Sequence, residues 1–241
     1  MQLRNAKSAL RFDAAQKAAQ LKNLHHRDTG EAGRASQPRS GLPRSFDVLA
    51  SLIGLLLSAP LLLVSAFTVA LTSRGGVLFR QKRVGKDGDT FTLYKLRTMR
   101  VSNGGPQVTT AGDARITRPG RFLRSTKIDE LPTLWNVLRG DMAFVGPRPE
   151  VPRYVKLDDP IWQAVLAARP GITDPVTLEL RDEEGLLAQV NGDAEKYYVE
   201  ELQPLKLKGY VAYLETRNWR SDLNVLLRTV AAVVIPQRTS G

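Results

Sequence analysis

Between Val48 and Leu71 the alternation of polar and apolar positions stops, and about 24 consecutive residues carry no charge. As a helix this run extends ~36 Å, enough to span the hydrocarbon core of a bilayer, so it reads as a membrane segment. It lies too far from Met1 to be a secretory signal peptide. Its flanks conflict with a simple crossing, which concentrates basic residues on one side. Here Arg39 and Arg44 precede it, and Arg74, Arg80, Lys82, Arg83 and Lys86 follow it. Pro60 stands in the middle, unable to donate to the carbonyl of Leu56, and bends any helix that passes through it. Each arm would be about 12 residues, or ~18 Å. The residues alone favour a kinked single span, since spanning helices tolerate proline. A helix–break–helix that dips in and returns is the other reading, with Ser58 offering its hydroxyl to a freed carbonyl.

Beyond this run, "VLFRQKRVG" and "TFTLYKLRTM" flank "KDGD", two extended stretches joined by a tight Asp-Gly turn, which predicts a β-hairpin. The stretch "SNGGPQVTTAGDARITRPG" reads as loop. In "RFLRSTKIDELPTLWNVLRGD", Ile128, Leu131, Leu134, Trp135 and Leu138 recur at helical spacing, with Gly140 as the C-terminal cap. "VGPRPEVP" is too proline-rich for regular structure. Two further helices are predicted in "EKYYVEELQPLKLKGYVAYLET" and "SDLNVLLRTVAAVVIP", the second with Leu223, Leu226, Leu227, Val230 and Val234 on one face. The first 43 residues are polar and basic. Leu3, Leu10, Ala14, Leu21 and Leu24 would suit an amphipathic arm on anionic lipid, but "DTGEAGRASQPRSG" has the composition of a disordered tail, which is the favoured reading.

Composition narrows the chemistry. A net charge of +11 in 241 residues points to a polyanionic partner: nucleic acid, acidic headgroups or phosphorylated substrates. With no cysteine and only two histidines, the adjacent His25 and His26 in the polar tail, thiolate sites, histidine triads and multi-histidine metal centres drop out. Acid–base work falls to carboxylates, lysine or tyrosine.

Two acidic motifs remain. "DGD", Asp87 to Asp89, matches the metal and nucleotide motif of many glycosyltransferases, but a hairpin tip accounts for it without chemistry. In "TKIDELP", Asp129 and Glu130 sit near a helix start, with Ser125, Thr126 or Asp129 as cap and Pro132 in the first turn. Such an end favours carboxylates and incoming phosphate alike. Adjacent helical residues point about 100° apart, so the pair does not share one face as an acid–base pair must, but near a helix end it can approach one phosphorus or metal from two sides. Acidic residues in a first turn also stabilise helices with no further role. Arg124 lies five positions before Asp129, and Arg148 is held between prolines in "GPRPE", where its planar fork suits phosphate oxygens.

From about Arg44 onward the chain resembles the bacterial sugar transferases, monotopic polyprenyl-phosphate phosphoglycosyl transferases that initiate exopolysaccharide, O-antigen and protein-linked glycan assembly. The motifs that carry the resemblance stand in family order: "RSFD", "FRQKRVGKDGDTFTLYKLRTM", "GRFLRSTKIDELPTLWNVLRGDMAFVGPRPE", "RPGIT" and "SDLNVLLRTV". The resemblance implies an α+β fold: a re-entrant membrane hairpin over 44–72, broken at Ser58 and Pro60, below a cytoplasmic catalytic domain over 73–241 with a β-hairpin and several helices, some on the membrane surface. Residues 1–43 form an added basic tail. It also implies transfer of a sugar 1-phosphate from a nucleotide diphosphate sugar, usually a UDP-sugar, to undecaprenyl phosphate. Asp129 matches the nucleophile that takes the phosphosugar, and Glu130 its partner in proton handling or metal binding. Arg124 and Arg148 match phosphate-binding arginines, and Gln81, Arg83, Lys95 and Arg97 are further substrate-binding candidates. A magnesium ion at Asp129 and Glu130 is the implied cofactor. The expected partners are the two substrates and an anionic bilayer, with no nucleic acid and with room for a homodimer, at the cytoplasmic face of a bacterial inner membrane.

Two departures from the family pattern matter. The family break is often an adjacent Ser-Pro, whereas Ala59 separates Ser58 from Pro60 here. After "RPGIT" many members continue with a Gly-Leu-Trp or Gly-Trp run, while this chain reads "DPVTLELRDEEGLLAQV", so the sugar cannot be copied from another member. Two other readings make distinct predictions. A membrane-tethered basic module that binds acidic lipid or nucleic acid would be indifferent to loss of Asp129, and a glycosyltransferase using "DGD" would release UDP instead of UMP.

Overall fold

The computed structural model describes residues 39–73, 75–100, 108–190 and 192–234. Of the amphipathic or disordered tail expected over residues 1–43, residues 1–38 lie outside them, and within 39–43 the Arg39 and Leu42 amides donate to Leu214 and Asp222.

The apolar run forms one helix, α1 (Arg44–Thr72), with Pro60 inside it. It is long and apolar enough to cross a membrane by length and composition. The two arms expected on either side of a break are therefore one uninterrupted helical element. The hydroxyl of Ser58 donates to the carbonyl of Leu55 at 3.4 Å, one residue short of the Leu56 carbonyl that Pro60 leaves without a donor. Asp47, Ser51, Ser65 and Val69, spaced by four, fourteen and four residues, are buried along one stripe. The opposite faces expose Leu57, Leu63 and Phe67. Near the start, Arg44 donates to the Leu138 carbonyl at 2.8 Å and Asp47 accepts from the Phe144 amide at 3.1 Å. Near the end, Val69 packs with Leu96 and Leu123. Both ends of the helix thus rest on the same body of protein.

That body begins with an antiparallel hairpin, β1 (Leu78–Val84) and β2 (Thr90–Leu96), in register from Leu78 opposite Leu96 to Val84 opposite Thr90. Its tip carries Asp87 at φ 57° and Gly88 at φ 86°, two consecutive left-handed residues that match the right-handed twist of the strands. Helix α2 (Arg118–Ser125) is capped by Thr117, which accepts from the Gly120 amide at 3.0 Å. A single turn of tighter helix, Ile128–Glu130, leads into α3 (Thr133–Arg139), closed by Gly140 at φ 95°.

The strands β3 (Ala143–Val145) and β4 (Gly171–Thr173) pair in parallel, on either side of the extended "GPRPE" segment and α4 (Pro160–Leu166). Gly146 and Gly171 lie back to back, so closely that a Cβ on Gly171 would stand 2.1 Å from the Gly146 amide nitrogen. Two short helices follow, α5 (Pro175–Glu179) and α6 (Glu183–Ala188). The next helical pattern opens as α7 (Ala194–Tyr197), widens into a π-type stretch at Tyr198–Leu202, and continues as α8 (Gln203–Thr216). The wide stretch falls just before Pro204, whose missing N–H disturbs the regular ladder. Tyr198, Leu202, Leu207 and Tyr210 pack with Trp162, Val176 and Leu180 as the largest apolar cluster. Helix α9 (Trp219–Val234) completes the described chain.

Asp222, fully buried at the start of α9, accepts from the Leu42 amide at 2.9 Å and Arg217 Nη2 at 2.7 Å, and also from the Tyr213 hydroxyl. Gly41 passes so near that a Cβ there would overlap Asp222 Oδ2 and Arg217. The segment leading into α1 is thereby tied to the C-terminal helices, and this fixes the entry angle of the apolar helix over the domain.

Candidate active site

Lys127, at φ 59° in the left-handed region, reverses the chain between α2 and the turn Ile128–Glu130. The reversal packs Ile128 against the Val69, Leu96 and Leu123 cluster, and Asp129 is buried beside it. The cap predicted at Ser125, Thr126 or Asp129 is not what starts this turn, because α2 runs through Ser125 and no side chain caps Ile128–Glu130.

The two carboxylates meet different surroundings. Glu130 Oε1 accepts from Lys95 Nζ at 2.8 Å and from Arg148 Nη2 at 2.7 Å. Burial alone would push Glu130 up, but the charges of Arg148, Lys95 and Lys127 hold it well below the usual carboxylate range. Burial in turn pushes the Lys95 ammonium down, against the pull of Glu130. Asp129 Oδ1 is buried without a hydrogen-bond partner. Burial first, and then the neighbouring charge of Glu130, push Asp129 above its ordinary value, opposed by Lys95, Lys127 and Arg124. One carboxylate is clamped and ionised while the other is unpaired and basic, a division in which the basic member suits attack on an electrophile.

Lys95 reaches Glu130 from the hairpin, on the face that also carries Arg83 across from Phe91. Arg83 and Gln81 hold each other, with Arg83 Nη2 donating to Gln81 Oε1 at 2.7 Å, and Arg83 Nη1 donates to the Pro149 carbonyl at 2.9 Å. Arg83 also pairs with Glu150 at 3.5 Å, and Glu150 in turn accepts from the Tyr198 hydroxyl. This arrangement secures the "GPRPE" segment and so positions Arg148. A small cleft opens over Lys95, Glu130 and Arg148, floored by Leu93, Met142 and Ile172. Asn136, fully buried, ties α3 to the hairpin by donating to the Thr92 carbonyl at 2.7 Å and accepting from the Tyr94 amide at 3.2 Å.

The structure therefore brings together Lys95, Arg148 and Glu130, with Arg83 and Gln81 at their edge. Arg124 pairs with Glu184 of α6 and is 3.5 Å from the Thr98 hydroxyl. Arg97 stands beyond the end of β2, its amide donating to the Val77 carbonyl at 2.8 Å, and makes no ion pair with either carboxylate among the described residues. Asp87 projects at the hairpin tip, where its neighbour Lys86 is at 3.5 Å. Glu150, Tyr198, Glu184 and Asn136 were not among the expected site residues. The proline-bounded "GPRPE" gave a signal for Glu150, and nothing local marked the other three.

Among the described residues no group of three histidine, cysteine or acidic side chains is placed to hold a metal ion. Magnesium binds through one or two carboxylates together with substrate phosphates and water, so the unpaired oxygen of Asp129 fits such an ion. Glu130 Oε1 is already taken by two cations.

The site is thus a buried basic–acidic cluster beside an unpaired carboxylate, on a body of protein that carries one helix long and apolar enough to cross a membrane. Residues 39–236 match the family described as bacterial sugar transferase, and the chain belongs to that family. It is 41% identical over 196 residues to a UDP-glucose:undecaprenyl-phosphate glucose-1-phosphate transferase of Caulobacter vibrioides, covering 79% of this chain and 69% of that protein. It is 31% identical over 219 residues to the exopolysaccharide production protein ExoY of Rhizobium meliloti, covering 83% of this chain and 89% of that one. A UDP-N-acetylgalactosamine-undecaprenyl-phosphate N-acetylgalactosaminephosphotransferase of Aeromonas hydrophila is 42% identical over 137 residues, covering 55% of this chain and 32% of the longer protein.

Proposed function

We propose that this chain is a polyprenyl-phosphate phosphoglycosyl transferase that moves a sugar 1-phosphate from a UDP-sugar to undecaprenyl phosphate through a covalent intermediate on Asp129. The observation that carries the reading is the contrast within the dyad: Glu130 is held by Lys95 and Arg148, while Asp129 Oδ1 is buried and unpaired. The relatives' printed names supply the substrate class, and the two sugars among them leave the donor to be found by a panel of UDP-sugars.

In the first step an oxygen of Asp129 attacks the phosphorus bonded to the sugar. The bond from that phosphorus to the bridging oxygen breaks, and the bridging oxygen leaves on UMP. In the second step an oxygen of undecaprenyl phosphate attacks the same phosphorus, forms the diphosphate link and returns the Asp129 carboxylate. The acceptor is already a nucleophile once deprotonated, so the reaction does not call for histidine. Two easier displacements replace one difficult transfer. Lys95 and Arg148, fixed on Glu130, present positive charge where the phosphates gather, and Arg124 adds to it on release from Glu184. Magnesium bound at Asp129 would neutralise diphosphate charge.

The same reading takes α1 as re-entrant, with both flanks cytoplasmic. In support, both ends of the helix rest on one body of protein and both flanks are basic. Cysteines introduced at Ser40 and Gly76 should resist labelling from the periplasm of intact cells, and labelling of either would make the helix a span. For the activity, purified protein with magnesium, undecaprenyl phosphate and the right UDP-sugar should release UMP. Asp129→Asn should abolish that release with the fold intact, and full activity in this variant would end the proposal.

A further inference from the structure

Two adjacent acids at the start of α6 each hold a cation from another element. Asp182 caps this helix by accepting from the Gly185 amide at 3.1 Å, and Leu187 is buried in the largest apolar cluster. The Ala111 amide donates to the Glu184 carbonyl at 3.0 Å, so the backbone that carries the acids is anchored on both sides. Glu183 holds Lys206 at 2.8 Å, a pair whose ammonium is largely shielded from water. Glu184 holds Arg124, whose guanidinium also lies 3.5 Å from the Thr98 hydroxyl and whose charge is felt at Asp129. The Glu184 side chain is 43% exposed, against 15% for Glu130 on Arg148 and 14% for Glu150 on Arg83. Arg148 is thus committed to a shielded carboxylate, whereas the partner of Arg124 is open to water.

We infer that Glu184 is an internal competitor for phosphate: its carboxylate occupies on Arg124 the seat that a phosphate of the nucleotide takes, and it retakes that seat when UMP leaves. The inference rests on the transferase reading above. A carboxylate and a phosphate offer the same pair of acceptor oxygens to a planar guanidinium, so the two contest one fork. An exposed carboxylate–arginine pair is weak, because water screens it and ordering two long side chains costs entropy. A diphosphate that also gains from Lys95 and Arg148 therefore displaces Glu184. With its backbone anchored, Glu184 gives way by side-chain rotation alone. Once UMP is cut from the sugar phosphate it carries fewer of these contacts, and the same carboxylate competes with it on better terms. Glu184 thus limits the affinity of the donor and hastens release of the product.

The test compares full-length wild type with Glu184→Gln, by the KM for the UDP-sugar in UMP release and by the Kd for UMP in calorimetry. Without the competitor both constants should fall about three- to fivefold, within the range that an exposed ion pair allows. The KM for undecaprenyl phosphate should hold within about twofold. Glu184→Ala should act in the same direction. Glu215→Gln is the control, because it removes an equal charge from an exposed position near the end of α8 and should move neither constant. In an Arg124→Gln background, adding Glu184→Gln should leave the Kd for UMP unaltered, since no seat remains to contest. A rise in either constant in Glu184→Gln would make the acid a support for Arg124 or for the ligand and would overturn the inference. No change in either constant, or the same tightening in the Arg124→Gln background, would overturn it too, and all three results leave the transferase reading in place. Absence of UMP release by the wild type would overturn that reading, and this inference with it.

Discussion

Asp129 and Glu130 are neighbours of the same chemical class, yet their surroundings predict opposite effects on stability. Replacing Glu130 by Gln leaves Lys95 and Arg148 facing each other without the anion that holds both. Side-chain exposures are 15% for Glu130, 19% for Lys95 and 33% for Arg148, so the cluster is largely shielded from water. Breaking a buried ion pair costs about 3–5 kcal/mol; because Arg148 is a third exposed, water relieves part of this, giving about 3 kcal/mol. At about 2–4 °C per kcal/mol for a chain of this size, Glu130→Gln should lower Tm by ~6–12 °C. Asp129→Asn removes a buried charge with an unpaired oxygen. Such a group costs about 1–3 kcal/mol, and a neutral amide costs less, so the variant should gain about 1 kcal/mol, or ~2–4 °C. The assay is thermal unfolding of the two variants and the wild type in the same detergent at one scan rate, followed by circular dichroism.

The pH dependence carries the sign. Asp129 is raised, so its folded form binds more protons than the unfolded chain, and wild-type stability falls as pH rises from the ordinary carboxylate value of 3.8 through the raised one. The advantage of Asp129→Asn should therefore be absent in acid and complete above the raised value. Glu130 is lowered, so its contribution is present above its unfolded value of 4.5 and is lost as pH falls through the depressed one. Turnover in the wild type should fall in acid as Asp129 takes up its proton, before Glu130 does. Equal destabilisation by Asp129→Asn and Glu130→Gln would refute the reasoning, because it would make Asp129 a structural carboxylate.

Arg148→Lys keeps the charge but loses the planar fork on Glu130, and turnover should drop about 100-fold, read as UMP release. Gly171→Ala would drive a Cβ to 2.1 Å from the Gly146 backbone. It should cost about 3 kcal/mol, seen as a lower Tm together with loss of activity, since Gly171 and Ile172 of β4 line the cleft. Asp87→Ala at the hairpin tip should change turnover less than about twofold, at a stability cost of about 1–2 kcal/mol for alanine in the left-handed region. A large loss of turnover there, with UDP as product, would favour the glycosyltransferase reading.

Much of the local structure was legible because it depends on neighbours in sequence. The Asp-Gly turn between two alternating runs gave the hairpin, and Gly140 gave the end of α3. The apolar run gave α1. Its continuity through Pro60 agrees with the kinked single helix that the residues alone favour, whereas the partners of the stripe from Asp47 to Val69, on α2, α3 and β3, are not revealed by the run itself. The parallel β3–β4 pair escaped notice for the same reason: three-residue strands carry no periodicity, and the Gly146–Gly171 contact that joins them is long-range. The Asp-Pro pairs at Asp159 and Asp174, which cap α4 and α5, carry a helix-start signal in the sequence itself. In the site, the motifs and their family order named Lys95, Glu130 and Arg148. That Glu130 binds both cations while Asp129 stays unpaired depends on the Lys127 reversal, a backbone feature with no glycine to announce it.

The central claim concerns a bond, so its most direct test is the mass of the protein. Wild-type enzyme incubated with magnesium and its UDP-sugar, without acceptor, should gain the mass of one sugar phosphate, placed by peptide fragmentation on Asp129 and removed by adding undecaprenyl phosphate. Transfer that proceeds to product with no such adduct, or with an adduct on another residue, would contradict the account.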